Sequence, residues 1–179
     1  MQLKTSRRGL LKAGLLGTMA LMAGGTVATM TGCSRQPASE LGLRFLREQD
    51  LVFLSALAPV ILKDNYPGPL GPEAETRLLK ALDSLMANLG EFSQNQLLQL
   101  FDLMAVGPAR FVAGGPMGSW SDASTEQIDG FLIGWRDSMF SLKRMGYVSL
   151  SKLITMSWYS QPENYVQTGY PGPPKKYPA

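Results

Sequence analysis

Histidine is absent from the 179 residues, and cysteine occurs only once, at Cys33. Without histidine the chain lacks the commonest general base, the commonest transition-metal ligand and the usual axial ligand of haem. With one cysteine no intramolecular disulfide can form, so the fold depends on packing or on a partner. Catalysis would have to rest on carboxylates, Lys, Ser or Tyr, and none falls in a recognisable catalytic motif. These absences argue against an autonomous enzyme, and we expect the chain to bind no cofactor or metal itself.

A basic surface is also missing once the first 33 residues are set aside. The chain has 17 basic and 14 acidic residues, but Lys4, Arg7, Arg8 and Lys12 lie in that segment, which contains no acid. The rest carries 13 basic and 14 acidic residues, a net charge of −1. Because nucleic-acid binding requires clustered positive charge, we expect no nucleic-acid partner.

The first 33 residues have the pattern of a twin-arginine (Tat) signal peptide. Paired arginines precede two leucines and a lysine, and residues 13–34 are uncharged; the residues that form the pattern are Ser6, Arg7, Arg8, Leu10, Leu11 and Lys12. Leu10 stands where the pattern usually has Phe. The sequence therefore predicts recognition by the Tat translocase and a periplasmic location.

Two alternatives concern the end of this signal. Residues 13–34 are long enough to remain as a transmembrane anchor, although five glycines and four threonines make the stretch more typical of a cleaved signal. The ending Met30-Thr31-Gly32-Cys33 resembles a lipobox, with Met30 in place of the usual Leu. Lipidation at Cys33 would attach the N-terminus to the membrane.

Apolar periodicity predicts one compact all-α domain of about five helices over residues 48–160, after a tether over 34–47. No stretch of useful length alternates with the period of a strand. The expected helices cover residues 48–63, 72–90, 93–107, 124–146 and 149–159. Pro72 and the capping boxes Ser93/Gln96 and Ser124/Gln127 are expected at helix starts. Gly90, Gly107 and Gly146 are expected at helix ends. Residues 107–123 are expected to form a loop that packs down through Arg110, Phe111, Met117 and Trp120.

Ten methionines suggest either thioether ligands for copper or adaptable core residues. Met86, Met104, Met139 and Met156 fall on apolar helical faces. We therefore interpret them as core residues.

The final segment, residues 161–179, contains five of the twelve prolines together with Tyr165, Tyr170 and Tyr177. Prolines at this density favour extended backbone, so we expect a stiff, extended tail.

The ending Trp158-Tyr159-Ser160-Gln161-Pro162, followed by Tyr165 and by Gly169-Tyr170-Pro171-Gly172-Pro173-Pro174, resembles the gluconate 2-dehydrogenase small-subunit family. These are small, Tat-dependent helical subunits of bacterial dehydrogenases. Their large subunit is an FAD oxidoreductase of the glucose-methanol-choline type, and the electrons often leave through a c-type cytochrome. The resemblance implies a noncatalytic subunit that binds the flavoprotein, supports its folding and supplies its export signal. FAD and the sugar, sugar alcohol or sugar acid substrate would then belong to the partner.

The candidate partner-binding residues are the aromatic and proline residues of this ending: Trp158, Tyr159, Tyr165, Tyr170, Pro171, Pro173 and Pro174. Buried aromatic side chains often dominate the energetics of an interface. The alternative is that the tail covers its own helices and buries these rings. Two other functions stay open at this point: a freestanding exported binding module or lipoprotein, and, less favoured, an enzyme built on carboxylates.

Overall fold

A computed structural model describes residues 37–38, 41–63, 70–165, 168–172 and 174. The signal peptide predicted over residues 1–33, with Cys33, lies outside these residues, as does the proline-rich stretch 64–69. The described residues fold into seven α-helices and one 3-10 turn, without a strand. The predicted all-α class is confirmed, but the expected number of helices was too small.

The helices run in the following order: α1 Glu48–Ile61, α2 Pro72–Ala87, α3 Glu91–Ala105, α4 Gly107–Ala113, the 3-10 turn Trp120–Asp122, α5 Thr125–Arg136, α6 Ser141–Tyr159 and α7 Pro162–Tyr165. Helix α1 is central, because it contacts α2, α3, α5, α6 and the 3-10 turn. Its Phe53, Leu54 and Leu57 are fully buried in the hydrophobic core. None of the described helices has the length and apolar character needed to span a membrane.

Local sequence signals set several of these helix ends. Pro72 occupies the first turn of α2, and Ser124 forms the predicted capping box with Gln127 at the start of α5. The predictions at the α2–α3 junction were wrong. Gly90 has a φ of −63° and is the N-cap of α3; its carbonyl accepts hydrogen bonds from the amides of Ser93 and Gln94. Ser93 therefore lies inside the helix that it was expected to cap.

The helix predicted over residues 124–146 is divided in two. Helix α5 ends at Arg136, and α6 starts at Ser141 and continues through Gly146. Gly146 therefore does not end a helix. Its backbone lies against the indole of Trp135, and a Cβ at position 146 would overlap that ring. The Nε1 of Trp135 donates to the carbonyl of Ala113 at 2.8 Å. The glycine thus allows α5 and α6 to approach closely.

Within residues 107–123, Arg110 and Trp120 are buried as predicted, but Phe111 and Met117 are exposed, so the prediction was wrong for these two residues. Helix α4 and the 3-10 turn were not expected either. The guanidinium of buried Arg110 donates to the carbonyls of Met104, Pro116 and Gly118 and lies 5.8 Å from the centroid of the Trp120 ring. The Trp120 Nε1 also donates to Met104 O, at 3.0 Å. A Cβ at Gly115 would lie 2.6 Å from Arg110 Cγ. The buried guanidinium of Arg110 therefore stabilises the loop, because its N–H groups donate to backbone carbonyl oxygens.

Residues 41–47 belong to the helical body, so the prediction of a tether over 34–47 is wrong for this part. Leu43 and Leu46 are buried in the core. The Asp83 carboxylate on α2 accepts hydrogen bonds from the amides of Arg44, Phe45 and Leu46 at 2.8–3.0 Å. We call residues 41–47 the entry segment.

Arg47, the last residue of the entry segment, is only 4 % exposed. Its guanidinium contacts Asp50 at 2.8 Å and Asp102 of α3 at 2.7 Å. Burial lowers the pKa of Arg47, but the hydrogen bonds to the two carboxylates outweigh this effect and leave the pKa raised. The arginine is therefore a permanently charged link between the entry segment, α1 and α3.

Candidate docking site in the C-terminal tail

Trp158 and Tyr159, the first two candidate residues, lie in the last turn of α6. Trp158 is buried in the hydrophobic core, and half-buried Tyr159 packs against that core. For these two aromatic side chains, the arrangement agrees with the alternative of packing within the chain.

Helix α7 follows immediately, so the tail predicted to be extended over 161–179 begins with a helical turn. The buried Asn164 side chain donates to the carbonyl of Trp158 at 2.9 Å, and Gln161 donates to the carbonyl of Ser157 at 3.1 Å. Glu163 forms a surface ion pair with Arg77 of α2 at 3.0 Å. These contacts hold α7 against α6 and α2 and fix the starting point of the tail.

Tyr165 and Tyr170 form an aromatic pair beyond α7. Their ring centroids are 5.4 Å apart with an interplanar angle of 71°, an edge-to-face arrangement. Gly169, in the turn between the two tyrosines, has left-handed backbone at φ 77°. Gly172, beyond them, is also left-handed at φ 98° and lies against Tyr165, where a Cβ would be 3.2 Å from the phenol oxygen. Thr168 Oγ1 donates to the Tyr165 carbonyl at 2.7 Å and braces this turn.

The aromatic pair stays at the surface. Tyr165 is half-buried and Tyr170 is 47 % exposed. Pro171 and Pro174 are exposed as well, whereas Pro173 lies outside the described residues. We call Tyr165, Tyr170, Pro171 and Pro174 the tail surface. Its two tyrosine rings and two proline rings offer apolar area, which suits contact with another apolar surface.

Outside the tail surface, the described residues offer few candidates for a catalytic, ligand-binding or metal site. A shallow depression of about 510 Å³ lies along α1, and Glu48 is the only ionisable residue among those that line it. Within the described ranges, no group of three His, Cys, Asp or Glu side chains could hold a metal ion. The remaining predicted sites, which are the Tat residues Ser6 to Lys12 and the lipidation site Cys33, fall outside the described part of the chain.

Sequence reasoning missed the residues that shape the tail surface, namely Arg77, Asn164, Gly169 and Gly172. The two glycines were a usable signal, because Gly-Tyr-Pro-Gly-Pro combines residues that favour left-handed turns with residues that fix φ. Arg77 gave no such signal, since it lies on α2, 86 residues before Glu163.

Comparisons with protein-family models, with curated proteins and with solved structures found no match. The fold and the tail surface therefore define this chain only as a small all-α body with an aromatic and proline-rich C-terminal surface. Its resemblance to the gluconate 2-dehydrogenase small-subunit family stays a prediction based on residues 158–174.

Proposed function

We propose that this chain is a noncatalytic small subunit of a periplasmic, membrane-associated FAD-dependent dehydrogenase of the glucose-methanol-choline type. It binds the flavoprotein, aids its folding and supplies its Tat export signal. FAD and the sugar, sugar alcohol or sugar acid substrate are held by the partner, and a c-type cytochrome accepts the electrons.

The exposure of the tail surface is the observation that carries this proposal. Trp158 belongs to the hydrophobic core, whereas Tyr165 and Tyr170 do not. A Tyr pair beside prolines offers a large apolar area, and the restricted Pro backbone lowers the entropy lost on docking. The part of the tail that carries the family resemblance is thus available to a partner.

Export supports the same function. The Tat pathway carries folded proteins, so a cofactor-loaded flavoprotein without a signal peptide can cross when it is docked to a subunit that has one. The absence of histidine and of any cysteine beyond Cys33 is compatible with this division of labour, because the redox chemistry is done by FAD on the other subunit.

The test is a tagged pull-down of the exported chain from its native cell, followed by the visible flavin spectrum and the masses of accompanying proteins. We expect a flavoprotein in stoichiometric amount. Tyr170→Ser should reduce its recovery by tenfold or more, since an aromatic anchor commonly contributes about 2 kcal/mol. Phe92→Ser, which changes another exposed aromatic residue on α3, is the matched control and should leave recovery unchanged.

A colourless, solitary chain would contradict the proposal and favour a freestanding binding module or lipoprotein. Equal recovery with Tyr170→Ser and Phe92→Ser would keep the subunit function but reject the tail surface as the docking site.

A further inference from the structure

Large apolar side chains that are more than half exposed are concentrated in two short segments of the described chain. Seven of the nine lie between residues 111 and 145, and the full set is Phe92, Phe111, Val112, Met117, Met139, Phe140, Leu142, Met145 and Met156. Met139 and Met156, which were expected in the core, are exposed, so that prediction holds only for Met86 and Met104. Exposed apolar groups of this density mark an interaction surface.

The two segments meet in space. The end of α4 contacts the end of α5 through the Ala113–Trp135 hydrogen bond, and a Cβ at Gly114 would lie 4.0 Å from Lys143 Nζ on α6. Val112 from the first segment and Met139, Phe140, Leu142 and Met145 from the second therefore lie at one end of the body; we call these five residues the apolar tip.

The α5–α6 connection that carries much of the apolar tip is well braced. The Arg144 guanidinium donates to the carbonyls of Ser138 and Met139 at 2.6 and 3.0 Å, and Ser138 Oγ accepts from the amide of Phe140. Met139 is nevertheless 95 % exposed, Leu142 79 % and Phe140 71 %. These three side chains therefore extend into solvent.

Positive charge accompanies the apolar tip. Lys143 and Arg144 lie between Leu142 and Met145, and neither forms an ion pair with an acid of the described residues. The neighbouring acid, Asp137, is paired with Arg136 at 2.9 Å. The tip therefore combines protruding apolar side chains with uncompensated cations, which is the composition of a surface that binds anionic lipid.

The N-terminal part of the described chain is linked to the apolar tip through α3 and α4. Arg47 binds Asp102 near the C-terminus of α3, and Met104 in the last turn of α3 accepts from Arg110 of α4; Ala113 then ends α4 next to the tip. Ala38 is hydrogen-bonded to Leu46 beside Arg47. Cys33 precedes Ala38 by five residues, a span of at most about 18 Å. A lipid on Cys33, or a retained apolar stretch 13–34, would keep the body within reach of a bilayer.

We propose that the apolar tip inserts into the anionic lipid surface of the membrane. Phe140, Leu142 and Met139 enter the headgroup region, while Lys143 and Arg144 pair with lipid phosphates. The proposal rests on the export assumed in the proposed function, but not on the flavoprotein. Helix α6 has 19 residues and is about 28 Å long, so the tail surface at its other end stays free for the partner.

The test uses the full exported chain carrying Phe140→Trp, or Phe92→Trp as the matched control at another exposed position. Vesicles of phosphatidylethanolamine and phosphatidylglycerol with brominated acyl chains are added, and tryptophan emission is recorded. The native Trp120, Trp135 and Trp158 are buried and give a constant background. We expect a blue shift and quenching for Phe140→Trp only, whether or not the N-terminus is anchored.

Charge provides a second measurement. Lys143→Gln should weaken partition into the anionic vesicles by roughly fivefold, the effect of one cation near an anionic surface. Lys152→Gln, an exposed lysine further along α6, should leave partition unchanged. Loss of affinity in both variants by the same factor would contradict a lipid contact specific to the tip.

Equal quenching of Phe140→Trp and Phe92→Trp, or quenching of neither, would overturn the proposal. A blue shift of Phe140→Trp on adding purified flavoprotein without vesicles would also overturn it and assign the tip to a protein interface. The proposed function is read out separately by flavin recovery with Tyr170→Ser, so either proposal can fail while the other stands.

Discussion

The two flanks of the helical body are attached in different ways. The entry segment is held by buried charged groups: Asp83 accepts from three of its amides, and Arg47 joins Asp50 and Asp102. The tail is held by Asn164, by the half-exposed Arg77–Glu163 ion pair and by the Tyr165–Tyr170 contact. From the sequence, the first flank was predicted to be a tether and the second an extended tail that either docks to a partner or covers its own helices.

The difference shows which flank can change its contacts. A buried carboxylate or guanidinium that loses its partner has neither a protein group nor water to bind its charge. Detachment of the entry segment would therefore cost much free energy. The tail beyond α7 can exchange surface contacts for contacts with another protein at little cost. The N-terminal flank is therefore structural, whereas the C-terminal flank suits docking.

The largest expected effect is that of Arg47→Ala. Asp50, which is 1 % exposed, would lose its guanidinium and remain as a buried charge. Loss of one partner of a buried pair usually lowers the free energy of unfolding by about 3–5 kcal/mol. Urea denaturation measures this change, with exposed Arg44→Ala as a control expected to stay within about 0.5 kcal/mol. Equal stability of the two variants would mean that the buried ion pairs of Arg47 contribute no more to the free energy of unfolding than an exposed arginine does.

A smaller loss is expected for Asp83→Ala. Three amides of the entry segment lose their acceptor, and we expect the free energy of unfolding to fall by about 2–3 kcal/mol. Hydrogen exchange at the amides of Phe45 and Leu46 should accelerate more than exchange in α5. The neighbouring Ser84→Ala, at an exposed position, is the control. Unchanged exchange at Leu46 would mean that other contacts hold the entry segment.

The smallest effect is expected for Arg77→Ala, which removes the ion pair with Glu163. Both side chains are nearly half exposed, and such pairs contribute about 0.2–1 kcal/mol. Thermal denaturation at low and high salt measures the contribution, which should shrink as salt increases. A loss comparable with that of Arg47→Ala would remove the contrast between the two flanks.

Periodicity, proline positions and one capping box were enough to predict the fold class, the start of α2 and the start of α5. The entry segment was missed because its acceptor, Asp83, lies 37–39 residues further along the chain, and no local pattern reports such a pairing. Met139 was misassigned because its predicted face depended on one continuous helix, and the break at residues 137–140 places it in a connection.

The candidate site was predicted in part. Tyr165 and Tyr170, which were chosen as partner-binding candidates, lie outside the hydrophobic core. The burial of Trp158 follows from the packing of α6 and could not be derived from the residue type. The chain turns between the two tyrosines, with Gly169 in a left-handed conformation, and an extended tail would not contain such a turn.

The close contacts of Gly115 with Arg110 and Trp120, and of Gly146 with Trp135, each leave no room for a side chain. Their spacing along the chain is therefore a steric signature: Arg, Gly and Trp at intervals of five residues, a second Trp fifteen residues later, and a Gly eleven residues after that. Distant relatives whose helices and loops have otherwise diverged should keep these five residue types at these intervals, because the alternative is to separate α5 from α6 or to displace the buried arginine.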